Sequence, residues 1–362
     1  MTFQNKLKKH LLLVAALAFA NPIFAGEPDG RFTQFDVPGA FLTQPVGINA
    51  LGVVFGNYSD SDGNHAFIRT PDGTLTTYDV PGSLACAQEP GFGPTYLDGF
   101  NIFGANTGLF LDSACVAHAF IRDWKGRVST FDAPGAGTSL GTGTEANSIN
   151  TFGLISGDYE DNAGTYHGYL RAPDGAFTVF DAPGAGIGGG LGTFVDGDYG
   201  LNDSGELSGN VSNATTTRGF VRSLDGKITV FDALQGVEQQ FTFTSSINAE
   251  GTVVGEVYEF VDSNLVAHGF SRTCDGKIQT FDVPGASFTT PATNNDLGVI
   301  VGSYSDDGVT NHGFIRSGAG VIRTYDAPGA VATTLLAINL EGTVVGTFYD
   351  LAGIGHGFIL RR

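Results

Sequence analysis

The chain has 362 residues, with 54 glycines, 14 prolines, a single methionine and only 15% charged residues. This excludes long amphipathic helices, whose interiors tolerate neither glycine nor proline and whose outer faces carry charge. A hydrophobic fraction of 41% with 29 Phe and 11 Tyr fills a large core and excludes disorder, while a formal charge of −19 makes nucleic acid and anionic lipid surfaces unexpected partners.

Taken in chain order, residues 1–25 read as a secretory signal peptide: Lys6, Lys8 and Lys9, an apolar run from Leu11 to Ala20, then Ile23-Phe24-Ala25 before Gly26, with cleavage near Ala25. The run is about ten residues, half of what a membrane-spanning helix needs, so membrane insertion is not expected. Loss of three lysines takes the formal charge from −19 to −22. Residues 26–362 are expected to form one domain, secreted to the extracellular space or periplasm as a monomer.

From residue 35 onward the chain repeats. Phe-Asp-Val-Pro-Gly at Phe35 to Gly39 has variants beginning at Tyr78, Phe131, Phe180, Phe231, Phe281 and Tyr325, and their aspartates are 43 to 53 residues apart. Within the first period follow Ile48-Asn49, Gly52, Gly56, a polar loop, His65-Ala66-Phe67-Ile68-Arg69 and Asp72-Gly73. Each period therefore holds four strand-length pieces. Asn-x-x-Gly and Asp-Gly supply the turns between them, the latter expected as type I′. The period predicts an all-β, seven-bladed β-propeller of four-stranded blades, with a parallel solenoid as the competing arrangement. After Asp326 the chain is one strand short of a period, and residues 31 to 37 can supply it by pairing with the C-terminal blade. With the Phe-Asp-Val-Pro-Gly strand outermost (D), Thr43 to Asn49 is innermost (A), Val53 to Ser59 is B and Ala66 to Thr70 is C. Loops D–A and B–C then open on one face, and turns A–B and C–D on the other.

The blocks His65-Ala66-Phe67, His118-Ala119-Phe120, His167-Gly168-Tyr169, His268-Gly269-Phe270, His312-Gly313-Phe314 and His356-Gly357-Phe358, with the preceding Ile-Asn-x-x-Gly-x-x-x-Gly run as in Ile338-Asn339 to Gly346, resemble the bacterial extracellular HAF repeat. The likeness covers nearly all of residues 31 to 362. It implies an exported repeat protein and no particular chemistry.

Six histidines, His65, His118, His167, His268, His312 and His356, begin strand C, and Arg218 takes that slot in the fourth period. Strand C lies about 9.5 Å outward from strand A, so these imidazoles cannot share one ion. They are expected instead to pair with the turn carboxylates Asp36, Asp79, Asp132, Asp181, Asp232, Asp282 and Asp326, since both sets lie on one face. No cofactor is expected. Asp60, Asp62, Asp306 and Asp307 would suit calcium, which takes hard oxygen ligands, although short Asp/Gly loops are ordinary hairpin turns. Cys86 and Cys115 open on the same face of the second period, and export makes a bridge between them expected, with Cys274 unpaired in a C–D turn on the other face.

Residues that break the repeat are the better functional candidates, because the fold already accounts for those that obey it. They are Phe92 and Tyr96 in the second-period insertion, Glu145 in the third inner strand, Asp196, Asp198 and Tyr199 in the fourth, and Tyr258, Glu259, Phe260 and Asp262 in the fifth B–C loop. Aromatics beside carboxylates suit a glycan or protein partner bound by a non-enzymatic propeller through its D–A/B–C face. The alternative is an extracytoplasmic polysaccharide hydrolase or lyase with Glu145, Asp196 and Asp198 as acid and base. Purely structural surface material would need no site.

Overall fold

The computed structural model describes residues 31–361 apart from 85, 87–92, 196 and 198. The expected signal peptide, Phe92, Asp196 and Asp198 lie outside the described residues. All regular structure in the described part is β-strand. In the first period Leu42–Ile48 (A), Val54–Asp60 (B), Gly63–Arg69 (C) and Leu75–Tyr78 (D) pair antiparallel in that order. The arrangement recurs along the chain. The last period supplies Ala332–Ile338, Val344–Tyr349 and Gly355–Arg361, and Arg31–Phe35 lies antiparallel to the last of these, from Arg31 opposite Arg361 to Phe35 opposite Gly357.

Consecutive sheets touch through a short parallel bridge from strand C of one to strand A of the next, as at Thr165–Leu191 and Ala267–Phe288. Leu42 makes the same bridge to Gly355, linking the first period to the last. The core lies between sheets: Phe35, Val37, Ile48, Val54, Phe67, Ala337, Val345 and Ile359 pack as one cluster drawn from both ends of the chain.

Three repeated residues explain why these sequences make these contacts. The glycine in strand B faces a bulge in strand A, where a Cβ on Gly56, Gly157 or Gly255 would meet the carbonyl oxygen of Gln44, Glu145 or Phe243 at 2.0 to 2.3 Å. No other residue fits there. A threonine early in strand A accepts the N–H of the residue after the turn aspartate, as Thr43 does from Val37 and Thr144 from Ala133. The arginine ending strand C lies over the aromatic ring that ends the preceding strand D, 5.0 Å for Arg69 over Phe35 and 4.4 Å for Arg171 over Phe131. Such cation–π contacts join neighbouring sheets at their strand-D edges.

At the A–B turns a second set of lateral bonds appears. Asn49 accepts the Leu51 and Val53 N–H groups on its Oδ1 and donates from Nδ2 to the Ile102 carbonyl in the next turn. Asn101 donates to Asn150, Asn150 to Asn202, Asn202 to Asn248, Asn248 to Asn295, Asn295 to Asn339, and Asn339 to the Asn49 carbonyl, each at 3.0 to 3.2 Å. The series returns to the turn where it began.

The Asp-Gly turns differ from the expected type I′. Gly73, Gly175, Gly226 and Gly276 have positive φ, whereas the aspartates before them do not. The Gly73 N–H reaches the Thr70 carbonyl and the Thr70 N–H reaches the Thr74 carbonyl. This is a type I turn followed by a glycine bulge. Pro71 suits its first central position, and the Asp72 carboxylate accepts the Thr74 N–H. Positive φ at two successive central residues occurs instead at Asp262 and Ser263.

Candidate functional site: the D–A/B–C face

Each strand-C histidine sits between the two loops that share this face. Nδ1 of His65, His118, His167, His268, His312 and His356 lies 2.8 to 3.0 Å from the carboxylate of Asp79, Asp132, Asp181, Asp282, Asp326 and Asp36 respectively. Nε2 of five of them faces a B–C acid at 3.2 to 3.6 Å: Asp60, Asp112, Asp161, Glu259 and Asp350 for His65, His118, His167, His268 and His356. A strand-B aromatic ring packs beside the imidazole in most periods, with Tyr58 5.0 Å from His65 and Phe348 4.9 Å from His356. Arg218 makes a two-pronged contact with Asp232 at 2.7 and 2.9 Å. The sequence analysis pointed to the turn aspartates but missed the second carboxylate, which is visible in hindsight as an acid five or six residues before four of the histidines.

A neutral imidazole donates from one nitrogen and an imidazolium from both, so the His312–Asp326 pair is sensitive to proton uptake. For His312 the Asp326 hydrogen bond, with the charges of Asp326, Asp306 and Asp307, outweighs burial and raises the pKa above the usual imidazole value. A raised folded-state pKa stabilises the fold fully below about pH 6.5, and the contribution disappears as pH rises through the folded-state value. The melting-temperature penalty of His312→Ala is therefore expected to be largest near pH 5.5 and to shrink by pH 8, as thermal scans of both proteins across that range would record. A penalty that is constant or grows with pH would refute the pairing as a source of stability.

Two of the calcium candidates, Asp307 and Asp60, are engaged in local bonds. Asp307 accepts the Val309 and Thr310 N–H groups and the Ser305 and Thr310 hydroxyls, and backbone bonds from Thr310 and Val309 lead in holding its carboxyl down to about 2. Asp60 accepts the Asp62 N–H and faces His65. Among the described residues no three His, Cys, Asp or Glu side chains converge as a metal would require.

The described repeat-breaking candidates fall in four places. Glu145 lies opposite Asp158 in the A–B register of the third period, and its carbonyl accepts the Tyr169 hydroxyl. Asp158, which the sequence analysis did not single out, is fully buried; its carboxylate accepts the Val195 N–H at 2.9 Å and the Asn147 amide at 3.0 Å, tying the third period to the fourth. Asn57 fills the same slot in the first period and bonds both the N–H and the carbonyl of Leu97. Nearby, burial raises the Glu160 carboxyl pKa. Tyr199 is elsewhere: its hydroxyl accepts the Ile48 N–H at 3.3 Å and its ring meets Phe100 edge-on at 5.7 Å. The fourth inner strand thus reaches across to the first near the A–B end.

Tyr96 packs against the Cys86–Cys115 disulfide, accepts the Gly93 N–H, and is pushed up by burial to a pKa of about 12. Cys274 is free and exposed.

The fourth place is the hairpin Val253–Val261 and Asn264–Arg272, whose nine-residue strands carry the fifth B–C loop beyond its neighbours. Tyr258 is half-buried against Phe243, while Phe260, Val261 and Leu265 are exposed near the tip. Two surface cavities lie away from Glu145. One of about 580 Å³ is lined by Ser204, Glu206, Ser223, Leu224 and Asp225. The other, about 420 Å³, lies beside Arg218, Asp232 and Arg272, where Leu234, Gln235 and Gly236 replace the Pro-Gly turn.

No family model and no curated protein matches the sequence. Solved structures do match in three dimensions. Virginiamycin B lyase from Staphylococcus aureus aligns with a TM-score of 0.58 at 13% identity, over 92% of this chain and all of that one. The β-propeller domain of the Trilobed protease from Pyrococcus furiosus aligns at 0.56 and 9%, over 89% and 94%. An oligogalacturonate lyase solved in complex with manganese aligns at 0.56 and 8%, over 92% and 96%. With the strand pairing above, these likenesses define the class: the chain is an all-β protein of β-propeller architecture. At such identities they speak to fold alone.

Proposed function

We propose that the chain is an exported β-propeller of seven four-stranded blades, closed by its N-terminal strand and of the HAF-repeat type, that binds a glycan or protein through its D–A/B–C face without catalysing a reaction. Support for the closed ring comes from the pairing of Arg31–Phe35 with Gly355–Arg361 and from the asparagine series that ends on Asn49. The Cys86–Cys115 disulfide fits an oxidising compartment outside the cytoplasm.

The observation that carries the binding reading is how the chemically versatile groups of this face are used. The strand-C imidazoles are clamped by carboxylates of the fold, and Asp158 is committed to backbone and amide donors. General acid–base work needs a group able to reach substrate. What the face offers outward is the long fifth hairpin, with the aromatic ring of Phe260 and the side chains of Val261 and Leu265 exposed near its tip.

The test is to screen the mature chain against arrayed polysaccharides, following both retention and the release of reducing or unsaturated sugars. The expected result is retention without product, weakened at least tenfold by Phe260→Ala. Product release, or retention indifferent to Phe260, would overturn the reading.

A further inference from the structure

The two faces of the ring differ in charge. Among the described residues Arg218 is the one lysine or arginine on the D–A/B–C side, where the turn aspartates and B–C acids gather; the other cations lie towards the A–B/C–D side, among them Lys125, Arg127, Lys227 and Lys277 in the C–D turns. The A–B/C–D side also carries acids, such as Asp72, Asp225, Glu250 and Asp296, so both signs are interspersed there.

On this mixed side the A–B turns carry a run of exposed apolar residues. Leu297, Leu340, Leu51, Phe103 and Phe152 occupy consecutive turns from the sixth period through the seventh and first to the third, each 48 to 71% exposed. The asparagine bonds hold those turns side by side, and Trp124, 68% exposed, stands in the C–D turn of the second period. One exposed apolar side chain on each of five laterally bonded turns makes an arc of the kind that a partner covers.

From these two observations we infer that the A–B/C–D side docks against the same side of a second copy, giving a back-to-back dimer with both D–A/B–C faces outward. Charge decides the occupant. Two chains of formal charge −19 repel through their acidic faces, but the mixed side is self-complementary under a two-fold axis, which brings turn acids of one copy to turn lysines of the other while the apolar arcs meet. A bilayer fits less well. Asp296 and Glu341 stand in two of the turns that carry the arc, and Asp203 and Glu250 in the A–B turns beside them, where an anionic headgroup layer would repel them. This departs from the monomer expected from sequence and is independent of the proposed binding function, which uses the opposite face.

Sedimentation velocity of the mature chain over a concentration series tests it. A monomer–dimer equilibrium is expected, with Phe103→Glu plus Phe152→Glu weakening association at least tenfold and Ile187→Glu, on the opposite side, leaving it unchanged. Leu51→Ser plus Leu297→Ser gives a second, milder disruption, and circular dichroism checks that each variant is folded. A chain that stays monomeric throughout, a dimer that survives both double variants or is lost with Ile187→Glu, or a monomer that instead binds phosphatidylglycerol vesicles through these residues would overturn the inference.

Discussion

Phe35→Ala is expected to destabilise the protein by about 3–5 kcal/mol, as much as Phe231→Ala, although Phe35 belongs to a strand five residues from the start of the described chain. Both rings are 8% exposed, both end a strand D, both stand 5.9 Å from a strand-C phenylalanine and both lie under an arginine guanidinium at 5.0 Å. Phe35 is held to the last period by backbone pairing to Gly357 and by the His356–Asp36 contact. Chemical denaturation monitored by aromatic fluorescence gives the comparison. Similar losses mean that the terminal strand is as firmly seated as a covalently continuous one. A loss below about 1 kcal/mol for Phe35→Ala alone would mean that this strand frays in solution and that the ring is open there.

Asp158→Ala is expected to cost about 2–5 kcal/mol, because it leaves the Val195 N–H and one of the two Asn147 amide N–H groups without an acceptor in a fully buried place, the other still reaching the Val195 carbonyl. Asp158→Asn should recover at least half of that, since Asn57 serves the equivalent joint and the side-chain oxygen still accepts. Denaturant midpoints for the three proteins decide the matter. If the alanine variant matched the parent, or the asparagine variant were the weaker of the two, the carboxylate would not be what joins the third and fourth periods.

The His–Asp pairs were legible in the sequence because both partners lie in one period, 14 residues apart in every internal case, on loops that a four-strand meander must place on one face. The disulfide was legible for the same reason. The turn type was not, because Asp-Gly serves both a type I′ turn and a type I turn with a bulge, and the choice depends on the residues before it, such as Pro71. The bond from the Ile48 N–H to the Tyr199 hydroxyl was not legible either, because its partners are 151 residues apart. The asparagines were noted only as turn residues. Their second bond goes to a backbone carbonyl in the neighbouring turn, which carries no side-chain signature.

What the sequence determined by itself was the repeat: strands of fixed order, glycines where strand A bulges, and an acid and a basic side chain, six histidines and Arg218, brought to one end of every sheet. These are contacts within a period, set by alternation along strands and by short turns, so local spacing encodes them. The tertiary structure alone decided how one sheet meets the next. The asparagine series, the arginines over preceding rings, Asp158 and the apolar arc all depend on the angle and offset between sheets. Those follow from packing whole faces together, and packing is a property of the assembled volume rather than of any short segment.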